Sequence, residues 1–285
     1  MSFFRFSCFI VPIFLTSTLF SQCVKTGTGL KMEKDGKTLW EFVIDNPEGK
    51  PFIHPLNMPN GSCITDARPK DHPWHMGLWF CWKYINKVNY WEPGKRMGVK
   101  PKGETYITAR DIKIEKEAAT VKLNLAYRPR SAKDKSPLLT EERVIVFSAP
   151  DKKGSYTVTS THHFIAQKDV VLDRTPPRIS GGKRTSGGYA GFSLRMASLM
   201  NKFTKTSSCG ERKQIEIVKK ERNWIGYTSA DKKHGVRITL LKGTPETRFY
   251  NWADNRFANP CPVYTRPIRV KAGESLDLSY QVKVY

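Results

Sequence analysis

Apolar and polar residues alternate in short stretches along most of the chain. Thr38-Leu39-Trp40-Glu41-Phe42-Val43-Ile44, Ala119-Thr120-Val121-Lys122-Leu123-Asn124-Leu125, Arg143-Val144-Ile145-Val146-Phe147 and Tyr156-Thr157-Val158-Thr159-Ser160-Thr161 all read this way. A period of two puts successive side chains on opposite faces of extended backbone, so each stretch predicts a strand with one face in a core. The pattern returns at 236–241, at Ile268-Arg269-Val270, and, after the turn Lys271-Ala272-Gly273-Glu274, at Leu276-Asp277-Leu278-Ser279-Tyr280-Gln281-Val282. No segment keeps a 3.6-residue apolar period for three turns, and no internal repeat is present. The expectation is an all-β antiparallel β-sandwich, with 22–285 as one domain because no Pro/Gly/Ser-rich linker divides it.

Residues 1–21 depart from this rhythm. One cation, Arg5, precedes a mostly apolar run to Phe20, and small polar Ser21 follows. That is the layout of an export signal, with cleavage near Ser21, and it sends the mature chain to the periplasm or beyond. Gln22 stands where a lipoprotein signal has a small residue, which argues against a lipid anchor on Cys23. The run falls short of the roughly 20 apolar residues of a spanning helix, and no membrane span is expected elsewhere.

Charge adds the nature of the partner. Lys and Arg number 48 against 26 Asp and Glu, a net +22. An exported protein meets acidic polysaccharide, uronic or sulfated, rather than nucleic acid, so an acidic oligosaccharide is the expected substrate; scattered lysines that only maintain solubility are the competing explanation. Beyond the leader stand Cys23, Cys63, Cys81, Cys209 and Cys261, an odd number without CxxC spacing. They suggest no zinc site and permit at most two disulfides.

Two stretches break the strand rhythm and hold the candidate chemistry, as irregular segments on a β scaffold commonly do. In 52–93, His54, His72 and His75 lie close together with Asp71, and imidazole is the side chain whose charge changes near neutrality. His-x-x-His beside Asp71 lacks a third ligand at a diagnostic spacing, so no metal and no cofactor is expected. Trp74, Trp79, Trp82, Asn89 and Trp91 supply flat faces and polar tips for sugar rings, although large aromatics in strands also build cores. At least two of the aromatics Trp74, Trp79, Trp82, Tyr84, Tyr90 and Trp91 should face a cleft. In 174–195, Arg174, Arg178, Lys183, Arg184 and Arg195 surround a Gly-rich segment carrying Tyr189, a candidate clamp for carboxylate or sulfate. Asn251 and Trp252 belong to a third polar-aromatic cluster between Arg248 and Arg256. His162 and His163 adjoin on a strand, so at most one can face a given site.

The blocks His54-Pro55-Leu56, Asp71-His72-Pro73-Trp74-His75-Met76-Gly77-Leu78-Trp79, Asn89-Tyr90-Trp91-Glu92, Gly188-Tyr189-Ala190-Gly191-Phe192-Ser193-Leu194-Arg195 and Trp224-Ile225-Gly226-Tyr227 resemble the bacterial family known as "methane oxygenase PmoA-like". The resemblance covers nearly the whole chain after the leader, with Trp74 and the short Asn251-Trp252 segment as departures. It implies a supersandwich similar to galactose mutarotases, a fold that hosts mutarotases, epimerases and polysaccharide lyases and so does not choose a reaction.

The leading expectation is a dehydratase or lyase that eliminates water or alcohol from a uronic residue. Arg195 would neutralise the carboxylate, His72 or His75 would remove the adjacent proton, and Tyr189 or the other histidine would protonate the leaving oxygen. A mutarotase or epimerase would use the same pair without expelling a group. A non-catalytic carbohydrate-binding protein would need only the aromatics and cations.

Overall fold

The alternating stretches become strands of two large sheets in the computed structural model, which describes residues 21–93, 100–180, 183–207, 215–217, 223–251 and 256–285. The expected leader lies outside these apart from Ser21, which opens the first strand. One sheet has nine strands in the order Ser21–Lys25, Gly29–Lys34, Lys37–Val43, Phe52–Leu56, Leu78–Cys81, Gly191–Arg195, Phe257–Cys261, Arg248–Asn251 and Ile215–Ile217. The second has eight, in the order Thr204–Ser207, Trp224–Thr228, Gly235–Leu240, Ser275–Val284, Tyr156–Ala166, Leu139–Phe147, Ala118–Pro129 and Gly103–Glu115. Pairing between these strands is antiparallel throughout. The protein is thus all-β and antiparallel. Among the described residues the one helix is the short 3-10 turn Ser198–Lys202, and none is long and apolar enough to cross a membrane.

The sheets meet through their apolar faces. Trp40 of the first stacks on Phe147 of the second at 3.9 Å, and Phe192 stacks on Tyr280 at 4.5 Å. In Tyr156–Ala166 every second residue is buried, which is the sequence alternation made structural. The inward row of Leu139–Phe147 nevertheless includes Glu141 and Arg143.

Those two charges stay inside because they are paired and hydrogen-bonded to each other and to their neighbours. Arg143 donates to Glu141 from Nε at 2.6 Å and Nη2 at 2.9 Å, and the Tyr127 hydroxyl donates to the same carboxylate. His162 Nδ1 donates to Glu141 at 2.7 Å and its Nε2 accepts the Ser160 hydroxyl at 2.9 Å. His163 points outward to Asp277, as adjacent strand positions require. Cys23, Cys63, Cys81 and Cys261 are free thiols, so no disulfide joins these four; Cys209 lies outside the described residues.

Candidate functional site

The loop before Leu78–Cys81 is stitched to the strand Gly191–Arg195, and this brings positions 71 and 195 together. Asp66 N donates to Arg195 O at 3.0 Å, Arg195 N to Gly77 O at 2.7 Å and Gly77 N to Asp66 O at 3.1 Å. Gly77 makes the turn possible. Its φ is +70°, and a Cβ there would lie 2.5 Å from the Ile53 carbonyl oxygen. Within the loop, His72 N bonds to Pro69 O and His75 N to His72 O, a tight turn that stacks the two imidazoles at 4.7 Å.

His72 and His75 occupy different environments despite this contact. His72 is one-third exposed, and its Nδ1 donates to Asp71 Oδ2 at 3.0 Å. Arg195, fully buried, donates from Nη2 to both Asp71 oxygens at 2.9 and 2.8 Å. Burial tends to raise the Asp71 carboxyl, but the hydrogen bonds from His72 and Arg195 outweigh it and bring it to about 2. Asp71 therefore stays ionised and fixes the His72 ring with Nε2 as the atom able to take a proton. His75 is buried, with its ring stacked on Phe257 at 5.0 Å. Burial first, and then the charges of its neighbours, Arg195 among them, lower its imidazole to about 2. It is a neutral ring in the core below His72.

A second polar cluster centres on Glu92, a residue the sequence reading did not single out. Lys83, buried, pairs with its Oε2, Asn89 Nδ2 donates to the same oxygen at 3.0 Å, and the Tyr189 hydroxyl donates to Oε1 at 2.8 Å. Burial raises the Tyr189 phenol and the Glu92 charge raises it further, so its proton is retained. Lys83 Nζ also lies 5.5 Å from the Tyr189 ring centre. Buried Asn259 positions this tyrosine: it accepts from Ala190 N and donates to Ala190 O, Phe192 O and Ser193 Oγ, clamping the Gly-rich segment to Phe257–Cys261. The two clusters share Phe257, which is stacked on His75 and edge-on to Tyr189 at 6.3 Å. A charged pair in so aromatic a run, Glu92 with Lys83, was the available signal for the second cluster.

Beside the histidines lies a cavity of about 520 Å³ lined by Trp74, Trp91, Lys50, Arg68 and Lys100 among others. Trp74 packs edge-on against His72 at 5.4 Å. The indole N–H groups of Trp74 and Trp91 are buried without a hydrogen-bond partner among the described residues. Arg68 is held by Glu48, and Lys50 Nζ donates to Trp91 O, whereas Lys100 is exposed.

Several expected site residues sit elsewhere. Arg195 lies behind Asp71 with a side chain 1% exposed, so it orients the dyad instead of meeting a ligand carboxylate. Trp82 is core, packed on Phe80 and Phe164, because it follows the fully buried strand Leu78–Cys81. Trp79 is buried against His75 and Trp91, a floor for the histidines and not a cleft wall. His54, half-buried on the strand Phe52–Leu56, has its Nδ1 2.9 Å from Oγ1 of Thr65, which lies in the loop that carries the dyad. Asn89 spends its oxygen on the backbone of Trp91 and Glu92. Arg174 is tied to Asp173 and to Tyr264 O, outside both clusters. Arg184 and Asn251 lie on the strands Lys183–Ser186 and Arg248–Asn251, and Trp252 lies outside the described residues. Among the described residues no group of three or more His, Cys, Asp or Glu could hold a metal ion.

Solved structures resemble this chain at low identity. The alpha-galactosidase from Lactobacillus brevis is 8% identical with a TM-score of 0.44, over 95% of this chain and 40% of its own. The galactosidase domain of the alpha-galactosidase-sucrose kinase AgaSK is 10% identical with a TM-score of 0.36, over 92% of this chain and 40% of its own. A protein from Klebsiella pneumoniae subsp. pneumoniae, assigned by name as an aldose 1-epimerase, is 8% identical with a TM-score of 0.36, over 90% of this chain and 78% of its own. The chain thus spans 40% of the length of either galactosidase structure. No curated protein matches. The family model that does match carries a different name from the PmoA-like family. It matches residues 29–285, and the chain belongs to this family of unknown function, DUF6807.

Proposed function

We propose that the protein is an exported carbohydrate-active enzyme that acts on acidic oligosaccharides, uronic or sulfated, by proton abstraction and β-elimination. The observation that carries this reading is the Asp71–His72 dyad beside a cavity lined by cations and by two tryptophans with unpartnered indole N–H groups. Indole N–H groups suit sugar hydroxyls, the ring faces suit sugar C–H faces, and Lys50 and Lys100 suit a carboxylate.

A uronic carboxylate against Lys100 would acidify the neighbouring C–H. His72 Nε2 takes that proton, the electron pair forms a carbon–carbon double bond, and the C–O bond one carbon further breaks. The His72 imidazolium then returns the proton to the departing oxygen, while the Tyr189 hydroxyl stays committed to Glu92 and takes no part in the transfer. His75 takes no part in proton transfer, since its burial makes it too weak a base to hold a proton.

Incubation with glucuronan, ulvan and pectin-type oligomers, followed at the absorbance of the unsaturated product, tests the reading. Turnover that disappears in His72→Ala supports it; no product from any of the three sinks the elimination. Proton NMR of sugar anomers under the same conditions would reveal a mutarotase or epimerase instead. Binding that survives His72→Ala, with no turnover of any kind, would leave a carbohydrate-binding protein.

A further inference from the structure

A groove of about 570 Å³ lies on the outer face of the second sheet and shares no residue with the two polar clusters described above. Register places Thr206, Gly226, Arg237 and Lys283 in one row across four neighbouring strands. Ile225, Tyr227, Val236, Ile238, Val282 and Val284, which alternate with the row, are fully buried, so the row faces solvent. Trp224, Thr204 and Thr228 flank it on the same face, and Tyr285, bonded through its hydroxyl to Thr228 at 2.8 Å, closes one end.

We infer that this groove is a separate binding site for anionic saccharide chains, with Arg237 and Lys283 holding a carboxylate or sulfate. Three features lead there. Arg237 and Lys283 stand directly opposite each other on paired strands, an arrangement that opposes folding and that a bound anion relieves. Asp151 acts on Lys283 through space, but its Oδ1 is already taken by the backbone N–H groups of Lys153 and Ser155.

The Arg237 guanidinium lies 4.1 Å from the Trp224 ring centre. Stacking uses the face of the guanidinium and leaves its in-plane N–H groups directed outward, in the fork that fits a carboxylate or sulfate. It also covers the tryptophan face on which a nucleic-acid base would stack, which disfavours a single-stranded nucleic acid. Thr206, Thr228 and Tyr285 supply hydroxyls of the kind that bond sugar hydroxyls.

Titration calorimetry at about 0.15 M salt with glucuronan and heparin oligosaccharides, dextran oligomers and oligodeoxythymidylate tests the inference. The expected result is binding of an acidic oligosaccharide and not of dextran, weakened about tenfold or more in R237Q/K283Q with a melting temperature no lower than the wild type's. The inference is overturned if neither acidic oligosaccharide binds, if R237Q/K283Q binds like the wild type, or if oligodeoxythymidylate binds more tightly than both. Wild-type turnover of short uronic oligosaccharides by R237Q/K283Q would separate the groove from the Asp71–His72 site, and a parallel loss of turnover would overturn that separation. Should no turnover be found in any variant, the binding results stand alone and bear on the groove only.

Discussion

Arg195 reaches Asp71 across 124 residues of sequence and donates one nitrogen to both carboxylate oxygens. The pair is asymmetric, with Arg195 1% and Asp71 42% exposed. The strand fixes the arginine, the arginine fixes the carboxylate, and the carboxylate fixes His72.

Asp71→Asn breaks the last link, because an amide offers His72 a weaker acceptor and permits the wrong tautomer. On a uronic oligosaccharide that the wild type turns over, kcat should fall on the order of 10²- to 10⁴-fold, with less change in KM. Equal kcat values in Asp71→Asn and wild type would remove the dyad from the mechanism.

Arg195→Gln removes the cation from Asp71. The carboxyl, held near 2 in the wild type, should titrate closer to its ordinary value of about 3.9. A depressed carboxylate contributes stability above the unfolded value and loses it as pH falls from about 4 to about 2, so this acid-dependent part shrinks in the variant. Carboxyl NMR of Asp71 in both proteins is the measurement, and an unmoved midpoint would contradict the assignment.

Gly77→Ala introduces a Cβ at a positive φ and 2.5 Å from the Ile53 carbonyl oxygen. A cost of about 1–3 kcal/mol is expected from the backbone alone, and the clash adds to it. Because Gly77 bonds both Asp66 and Arg195, urea unfolding should be accompanied by displaced His72 resonances in the folded protein.

The strands were legible because their alternation reports burial directly, as in Tyr156–Ala166. The Asp71–His72 segment was legible because histidines, aromatics and an acid crowd together in one irregular stretch. The inward charges of Leu139–Phe147 were not, since alternation says which face a residue takes and not that Glu141 will find Arg143, Tyr127 and His162 there. Nor could spacing distinguish His72 from His75. Their difference comes from Phe257, distant in sequence, and from Trp79 on the strand that follows the loop, which close over one ring and leave the other partly open. Trp82 was misjudged for the same reason: its partner Phe164 comes from the opposite sheet.

Glu141→Gln leaves Arg143 buried beside a neutral amide. Breaking such a pair costs roughly 3–5 kcal/mol, whereas replacing both charges with apolar residues is often near neutral. Urea unfolding of E141Q against E141L/R143M should show the single variant as the less stable. The reverse order would mean that Arg143 is satisfied without Glu141.

His75 gives the fold a defined sensitivity to acid. Its folded imidazole titrates at about 2, below an unfolded value of about 6.5, because burial opposes the charged form. Between those values the unfolded chain binds a proton that the folded protein refuses, so stability is complete above about pH 6.5 and falls below it. The slope from one such group approaches about 1.4 kcal/mol per pH unit. His162 acts in the same direction, since burial lowers it against the pull of Glu141. The depressed carboxylates Asp71 and Glu141 lose their contribution only below about pH 4, so urea unfolding at pH 7, 6 and 5 isolates the histidines. His75→Phe keeps a flat ring against Phe257 and removes the titration. Its stability should fall less steeply than wild type between pH 6 and 5, by up to about 1.4 kcal/mol per unit. Parallel slopes in the two proteins would show that His75 is not held neutral in the core.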